Sequence, residues 1–397
     1  MSEDPPAGVY RATDRVALTT IAREWGRIGI TGFGGPPAHI ALLRRLCVER
    51  RRWIQARDFE DGIAACNLLP GPASTQLSMF CAWLLRGPAG AIVGGFFFIV
   101  PGLVVILGLS ALFLAAHPPL WVRAAAAGAG AAVPAVAAQA AIGLIPTSWK
   151  RAGQHTPNRV RWVTYLLVGA VAAAVIGPWL VLVLVACGLL EVEARTARTG
   201  RSSRNNGFLP IAIMPAAVGL GGVGALAWVA FKVGALSYGG GFVIIPLMQH
   251  DAVTTYHWMT ATQFLNAVAL GQVTPGPVVQ TVAVIGYAAA GVGGGLLAAL
   301  IAFLPSFVFV LAGAPRFDRL RRSPAISAFL TGAGAAAIGA IGGSAIPLGL
   351  ALGRLWQVGV LAIASVWLIA MRKSVVIGLI GSGVLGVIAG LAGAPMP

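Results

Sequence analysis

The chain has 397 residues, of which 57% are hydrophobic and only 10% are charged, against about 25% charged in ordinary soluble domains. A soluble globule cannot bury so much apolar surface, and a disordered chain would be rich in charge. The formal net charge of +16 comes mostly from arginines in short loops between apolar runs, which indicates cytoplasmic loops and anionic lipid rather than nucleic acid as partner. The composition predicts an all-α polytopic membrane protein of about nine to eleven spans.

Two motifs of the first half return 205 residues later. Phe33-Gly34-Gly35-Pro36 (the first Gly-Gly motif) matches Tyr238-Gly239-Gly240-Gly241 (the second Gly-Gly motif). Pro70-Gly71-Pro72 (the first Pro-Gly-Pro motif) matches Pro275-Gly276-Pro277 (the second). The register continues to a Gly-Ala-Gly-Ala-Ala run, where the offset is 204. A register held this long predicts two homologous repeats.

The loop charges orient these repeats. Six arginines lie between residues 44 and 57, whereas the equivalent loop at 249–258 has none. Conversely, the arginines of residues 316–322 correspond to a neutral loop at 115–120. Because basic loops stay in the cytoplasm, equivalent loops lie on opposite sides and the repeats are predicted to be inverted, as in many secondary transporters. The predicted units are a first repeat at 1–194, a basic cytoplasmic linker at 195–207 and a second repeat at 208–397.

The Gly-Gly and Pro-Gly-Pro motifs predict broken or re-entrant helices. Proline lacks an N–H group and restricts the preceding residue, so breaks are expected at Pro36, Pro70, Pro72, Pro275 and Pro277. Freed N–H groups at new helix N-termini suit an anion, and four such clusters are expected near the membrane midplane. The alternative is that the motifs supply only kinks and close helix packing.

Counting between the charged loops predicts the spans. The segments at 16–32 and 224–238 are either short spans or half-helices, and an extra segment is expected at 208–226. The other spans are predicted near 89–115, 121–147, 162–176, 178–192, 292–313, 325–348, 355–371 and 374–392.

Polar and cationic residues beside the breaks are candidate substrate ligands. Arg27 and Lys232 are repeat equivalents in apolar surroundings, where a cation is costly and by default functional, and two such cations suit a doubly charged anion. The alternatives are an Arg27–Glu24 ion pair and a Lys232 side chain that extends to the interface. Hydroxyl and amide donors can hold a tetrahedral oxyanion without preventing its release. The predicted substrate-binding residues are Arg27, Phe33, Gly34, Gly35, Gly71, Ser74, Thr75, Gln76, Lys232, Tyr238, Gly239, Gly240, Gly276, Gln280 and Thr281.

Other polar residues are predicted to be structural. His39 has Ile244 at its repeat position, so it is either a residue of an asymmetric gate or a core histidine with satisfied hydrogen bonds, and the second is favoured. Asp58 is expected to be a helix N-cap, with Asp61 as the acid three residues later. The cysteines and histidines show no metal-ligand spacing, so neither a metal site nor a cofactor is predicted.

Taken together, the motifs resemble the chromate ion transporter family in its long two-domain form. The matching runs are Phe33–Ile40 and Leu69–Gln76 in the first half, and Tyr238–Leu247 and Thr274–Tyr287 in the second. Tyr238 stands where the family more often has phenylalanine. The resemblance implies a transporter that exports chromate across the bacterial inner membrane and confers chromate resistance. An enzyme is not expected.

The membrane potential independently favours export of such an ion. An inside-negative potential drives a dianion outward by about 4.6 kcal/mol per 100 mV, which suits secondary efflux without a coupled ion. The alternatives are transport of sulfate or another oxyanion, an anion channel, and a membrane-embedded transferase, which would need paired acids or a His/Asp cluster. The expected partners are the oxyanion and the lipid bilayer, and a homodimer is left open.

Overall fold

The computed structural model describes residues 16–67, 69, 71–115, 117–175, 180–198, 222–237, 242–314 and 323–397. Within these ranges the regular structure is entirely helical. Several predictions lie outside the described residues, namely Pro70, Tyr238, Gly239, Gly240, residues 199–207 of the linker and residues 208–221 of the extra segment.

The helices of the two repeats follow one another in a matching order. The first repeat contains α1 (Leu18–Thr31), α2 (Pro36–Arg44), α3 (Ala56–Cys66), α4 (Ala73–Phe113), α5 (Leu120–Ala131), α6 (Val133–Ala152), α7 (Thr156–Val175) and α8 (Leu180–Arg198). The second contains α9 (Val223–Leu236), α10 (Ile244–Gln249), α11 (Ala261–Val273), α12 (Thr281–Gly313), α13 (Pro324–Leu350), α14 (Leu355–Ser365) and α15 (Val375–Leu391). Short π-helical segments follow α2 (Arg45–Arg50), α10 (His250–Thr255) and α14 (Val366–Ala370), and a 3-10 turn (Val278–Gln280) precedes α12. Shifted by 205 residues, α1 and α9 have identical bounds, which confirms the predicted repeat.

α1 and α2 form a re-entrant hairpin. Gly34 and Gly35 turn the chain at its tip with φ angles of +96° and +72°, a backbone region that glycine enters at little cost. An ion pair of 2.7 Å between Glu24 on α1 and Arg51 beyond α2 joins the two arms towards their other end. The segment at 16–32 is therefore the first arm of a hairpin rather than a span.

α3 and the beginning of α4 form a second hairpin around the first Pro-Gly-Pro motif. Pro72 is the N-cap of α4, and Gly71 precedes it with a φ of +113°. Gly62 of α3 packs against the side chains of Leu77 and Phe80 on α4, so the two helices run in opposite directions from this tip. The Pro-Gly-Pro motif is thus a reversal of the chain within the bundle.

α4 and α12 each fold back a second time at a glycine. Gly87 and Gly291 have φ angles of +62° and +63° and interrupt the two helices at equivalent positions. Beyond the first of these turns, Gly94 packs against Ala82. Each helix therefore has an inner segment (73–85 or 281–289) and an antiparallel outer segment (88–113 or 292–313).

The outer segments of α4 and α12 pack against each other in antiparallel fashion. Gly95 lies against Phe307, and Gly295 lies against Leu107. These segments are repeat equivalents, and equivalent helices that run in opposite directions are what inverted repeats require. The predicted inverted arrangement is confirmed.

The two repeats exchange their C-terminal helices. α13 packs against α7 and α8 of the first repeat, and α15 packs against α5. Gly332 lies directly against the Cys187 carbonyl, and Gly386 against Gly128, because residues without bulk allow helices to approach closely. The repeats therefore share one packed core, and the boundaries at 194 and 208 stay a prediction.

Among the described helices, four are long and apolar enough to cross a membrane: Ala73–Phe113, Leu120–Ala152, Val278–Gly313 and Pro324–Leu350. With α7, α8, α14 and α15 they overlap the eight spans predicted near 89–392. Large apolar side chains such as Val104, Leu300 and Leu350 are 66–81% exposed on their outer faces, as contact with lipid requires.

The expected cap at Asp58 is wrong. α3 begins at Ala56 with Gln55 as N-cap, and no side chain caps it. The equivalent α11 instead has a capping box, in which the Thr260 hydroxyl accepts from the Gln263 N–H and the Gln263 side chain accepts from the Thr260 N–H. A side-chain N-cap is thus present in the second repeat, at Thr260, which is equivalent to Gln55.

Candidate functional site

The helix breaks of the two repeats meet one another. The N–H group of Gly276, in the second Pro-Gly-Pro motif, donates to the carbonyl of Gly32 at the end of α1, with an N–O distance of 3.0 Å. Likewise, Gly71 in the first Pro-Gly-Pro motif lies close to the carbonyl of Gly234, near the end of α9 in the second repeat. Each Pro-Gly-Pro motif therefore lies against the first helix of the other repeat, α1 or α9.

A buried glutamine lies over the glycine of each Pro-Gly-Pro motif. The amide of Gln76 lies beside Gly71, and the amide of Gln280 lies beside Gly276. Gln280 Nε2 also donates to the carbonyl of Ile99 on α4, at 2.7 Å. This bond joins the second break to the outer segment of the first repeat.

The structure corrects the register of these glutamines. The offset of 205 pairs Gln76 with Thr281, but the common position of the two amides pairs Gln76 with Gln280, an offset of 204. The second repeat has one residue fewer at this point. Its helix α12 is preceded by the 3-10 turn Val278–Gln280, and such a turn needs only three residues. Ser74 and Thr75 therefore have only valines as counterparts.

One position on each outer segment completes the cluster. Gly102 of α4 lies directly against the Pro275 carbonyl and the Gln280 side chain. Its equivalent on α12, Ser306, has its hydroxyl beside Gly71. The outer segments thus cover both Pro-Gly-Pro motifs.

Several polar groups in this cluster have no partner. Thr75 Oγ1, Ser306 Oγ and Gln280 Oε1 are buried and make no hydrogen bond with any described residue. The N–H groups of Ala73 and Ser74, in the first turn of α4, have no intrahelical acceptor because they precede the first α-helical bond. A buried unsatisfied polar group costs about 1–3 kcal/mol, so this concentration calls for a functional explanation.

His39 on α2 forms hydrogen bonds with Gly32 at the end of α1 and with Ser74 at the start of α4. Its Nε2 is 2.9 Å from the Gly32 carbonyl, and its Nδ1 is 3.3 Å from Ser74 Oγ. A carbonyl oxygen can only accept, so Nε2 carries the proton, and in the neutral ring Nδ1 accepts from the Ser74 hydroxyl. The predicted core histidine with satisfied hydrogen bonds is confirmed.

The two predicted cations have unequal surroundings. Lys232 is buried and forms an ion pair with Asp251. Arg27 is exposed and pairs with no acid that the structure describes, because Glu24 is held by Arg51 instead. Both alternatives are therefore wrong, namely the Arg27–Glu24 pair and the extension of Lys232 to the interface. Substrate binding by either cation stays a prediction.

Other predicted residues offer few free donors to an anion. Phe33 is 47% exposed at the hairpin tip. The Thr281 hydroxyl donates to the Val278 carbonyl within its own turn, at 2.8 Å. α2 begins with Pro36-Pro37, and since proline has no N–H group, this helix start offers few donors to an anion.

The sequence pattern did not point to Ser306, Gly102 or Asp251. Ser306 and Gly102 each follow a proline at equivalent positions, so the repeat register could have found them. Asp251 is one of only two acids after residue 193, which could have marked it as the partner of Lys232.

Comparisons with known proteins match the whole arrangement of repeats. The family model described as "Chromate transporter" matches residues 19–192 and 224–388, close to the two repeats. The chromate transport protein of Cupriavidus metallidurans is 34% identical over 361 residues, which cover 87% of both chains. A probable chromate transport protein of Synechococcus elongatus is 29% identical over 94% of this chain and 95% of its own, and the chromate transport protein of Pseudomonas aeruginosa is 31% identical over 81% and 79%. No solved structure gives a significant match.

Proposed function

The chain belongs to the chromate transporter family, and we propose that it exports chromate from the bacterial cytoplasm through the cluster at the two Pro-Gly-Pro motifs. The names of its relatives support chromate as the substrate. Export agrees with an inside-negative membrane potential, which drives a dianion outward. Chromate resistance and a place in the inner membrane follow from this proposal.

The observation that carries the proposal is the set of unpartnered donors where the breaks meet. The chromate dianion has four oxygens, and all of them only accept hydrogen bonds. The buried hydroxyls of Thr75 and Ser306 make no hydrogen bond with the described residues and can donate to such an oxygen. The N–H groups of Ala73 and Ser74 lie in the first turn of α4, where a helix has no acceptor of its own for them. The N-terminal end of the inner α4 segment adds a positive partial charge. These donors are neutral, so they would bind a dianion without holding it too tightly for release.

The packing also suggests which parts move. α6, α7 and α8 pack against α13, and α5 packs against α15, so these helices form a scaffold that links the two repeats. Where the described re-entrant segments of the two repeats meet, the Gly276 N–H group donates to the Gly32 carbonyl. We therefore propose that the hairpins shift against this scaffold to expose the cluster to each side in turn, as in other inverted-repeat transporters.

Removal of the unpartnered hydroxyls tests this site. Thr75→Val and Ser306→Ala are each expected to lower the rate of chromate uptake into inverted membrane vesicles by about tenfold or more, since a hydrogen bond to a charged group contributes about 1.5–3 kcal/mol. Neither variant should lower the melting temperature, because neither hydroxyl makes a bond with a described residue.

The matched controls are Thr331→Val and Ser344→Ala, whose buried hydroxyls donate to carbonyls of their own helix. These controls should transport normally. Unchanged uptake by both Thr75→Val and Ser306→Ala would rule out this site. A wild-type chain that accumulates no chromate, or whose transport serves sulfate alone, would refute the proposed substrate.

A further inference from the structure

A cavity of about 360 Å³ lies between the arms of the α1–α2 hairpin. Arg27 and Thr31 line it from α1, and Arg45 and Arg50 line it from the π-helical segment that follows α2. α1 ends at Thr31, and the carbonyl of the next residue, Gly32, accepts a hydrogen bond from the second Pro-Gly-Pro motif. The cavity is therefore adjacent to the proposed transport site.

Three arginines and one glutamate are among the residues that line this cavity. Glu24 also lines it, but its carboxylate is paired with Arg51 at 2.7 Å. Arg27, Arg45 and Arg50 form no ion pair with the residues that the structure describes. Three uncompensated guanidinium groups around one cavity produce a local positive potential that raises the concentration of anions.

The equivalent hairpin of the second repeat has no such charge. His250 and Thr255 stand at the positions of Arg45 and Arg50. Lys232 stands at the position of Arg27, but Asp251 neutralises it from the position that Leu46 occupies in the first repeat. Because the repeats are inverted, these two hairpins face opposite sides of the membrane.

We infer that the cavity of the α1–α2 hairpin captures the oxyanion on the arginine-rich face, and that the neutral Lys232–Asp251 pair leaves the other face without a capture site. This inference rests on the proposed function. Arginine-rich loops lie in the cytoplasm, so the difference favours loading from the cytoplasm and release outside. The difference in charge between the two faces would thereby set the direction of transport in a protein built from two similar repeats.

A lipid phosphate has the same chemistry as a free oxyanion and competes for such a cavity. The test therefore uses the full chain in inverted vesicles, in right-side-out vesicles, and in phosphatidylcholine liposomes with and without phosphatidylglycerol. Initial rates of chromate transport are measured over a range of chromate and salt concentrations. The variants are Arg45→Gln, Arg50→Gln and their double, with Arg57→Gln as matched control because Arg57 is an exposed arginine of the same basic region outside the cavity.

Each single variant is expected to raise the apparent KM on the arginine-rich face about three- to tenfold, with the maximal rate unchanged. The KM of the wild type should rise with ionic strength, and that of the double variant should rise less. In right-side-out vesicles the KM of the variants should equal that of the wild type, and Arg57→Gln should behave as the wild type throughout.

An unchanged KM in the double variant, with an active wild type, would overturn the inference and leave the proposed function intact. A KM effect confined to liposomes with phosphatidylglycerol would also overturn it, because the cavity would then bind lipid. A wild type without any chromate transport would instead refute the proposed function itself.

Discussion

Replacement of Asp251 by asparagine is expected to lower the free energy of unfolding by about 3–5 kcal/mol, because it leaves a buried ammonium group without a counter-charge. The Lys232 and Asp251 side chains are only 5% and 6% exposed, so solvent offers little compensation. Thermal melting of the detergent-solubilised protein measures the loss. Glu24→Gln is the matched control, and it should cost about 1 kcal/mol or less because its partner Arg51 is 42% exposed.

The double variant Lys232→Met with Asp251→Leu separates structure from substrate binding. Because both charges are removed together, most of the lost stability should return. We expect this variant to transport chromate, since a neutral pair does not attract the anion. A double variant that folds but does not transport would instead support the prediction that Lys232 binds the substrate. Asp251→Asn with unchanged stability would contradict the buried ion pair.

Replacement of Gly102 by alanine is expected to lower chromate transport by about thirtyfold or more. The added methyl group would lie 2.5 Å from Gln280 Oε1 and directly against the Pro275 carbonyl. Overpacking of this kind costs about 1–3 kcal/mol, and here it would displace the Gln280 side chain from the Ile99 carbonyl. The second Pro-Gly-Pro motif would then move away from its position beside the first repeat.

Gly108→Ala is the control for this experiment. Gly108 lies on the same outer segment of α4, but nothing surrounds an added methyl group there within 4 Å. Alanine favours a helix over glycine by up to about 1 kcal/mol, so this variant should be stable and active. Vesicle uptake and the amount of folded protein are measured for both variants. Normal transport by a folded Gly102→Ala variant would show that the contact between the repeats at this point is dispensable.

Much of the fold could be predicted from the sequence because its signals are local. Spans follow from apolar runs bounded by basic loops, and breaks follow from proline and glycine. The same offset that relates the Gly-Gly motifs also relates the bounds of α1 and α9. Inversion followed from loop charge alone, since the arginines of residues 44–57 have no counterpart in the second half.

The details of the site depended on contacts between distant residues. The offset falls from 205 to 204 somewhere after the Pro-Gly-Pro motifs, and only the positions of the two amides show that the change precedes Gln76 and Gln280. The partner of Lys232 is Asp251, 19 residues away in the π-helical segment after α10. A lysine in the sequence does not indicate which acid will pair with it. The exchange of C-terminal helices depends on which of 53 glycines face another helix, and composition carries no such information.

The exchange of helices has a consequence for biosynthesis. α5, α7 and α8 leave the ribosome long before α13 and α15, the helices that cover them. Until then, their glycine-lined grooves face lipid or the insertion machinery, and the first repeat waits in the bilayer without its partner surfaces. The packing of the first repeat is therefore completed only after residues 324–391, which contain α13 and α15, have been made.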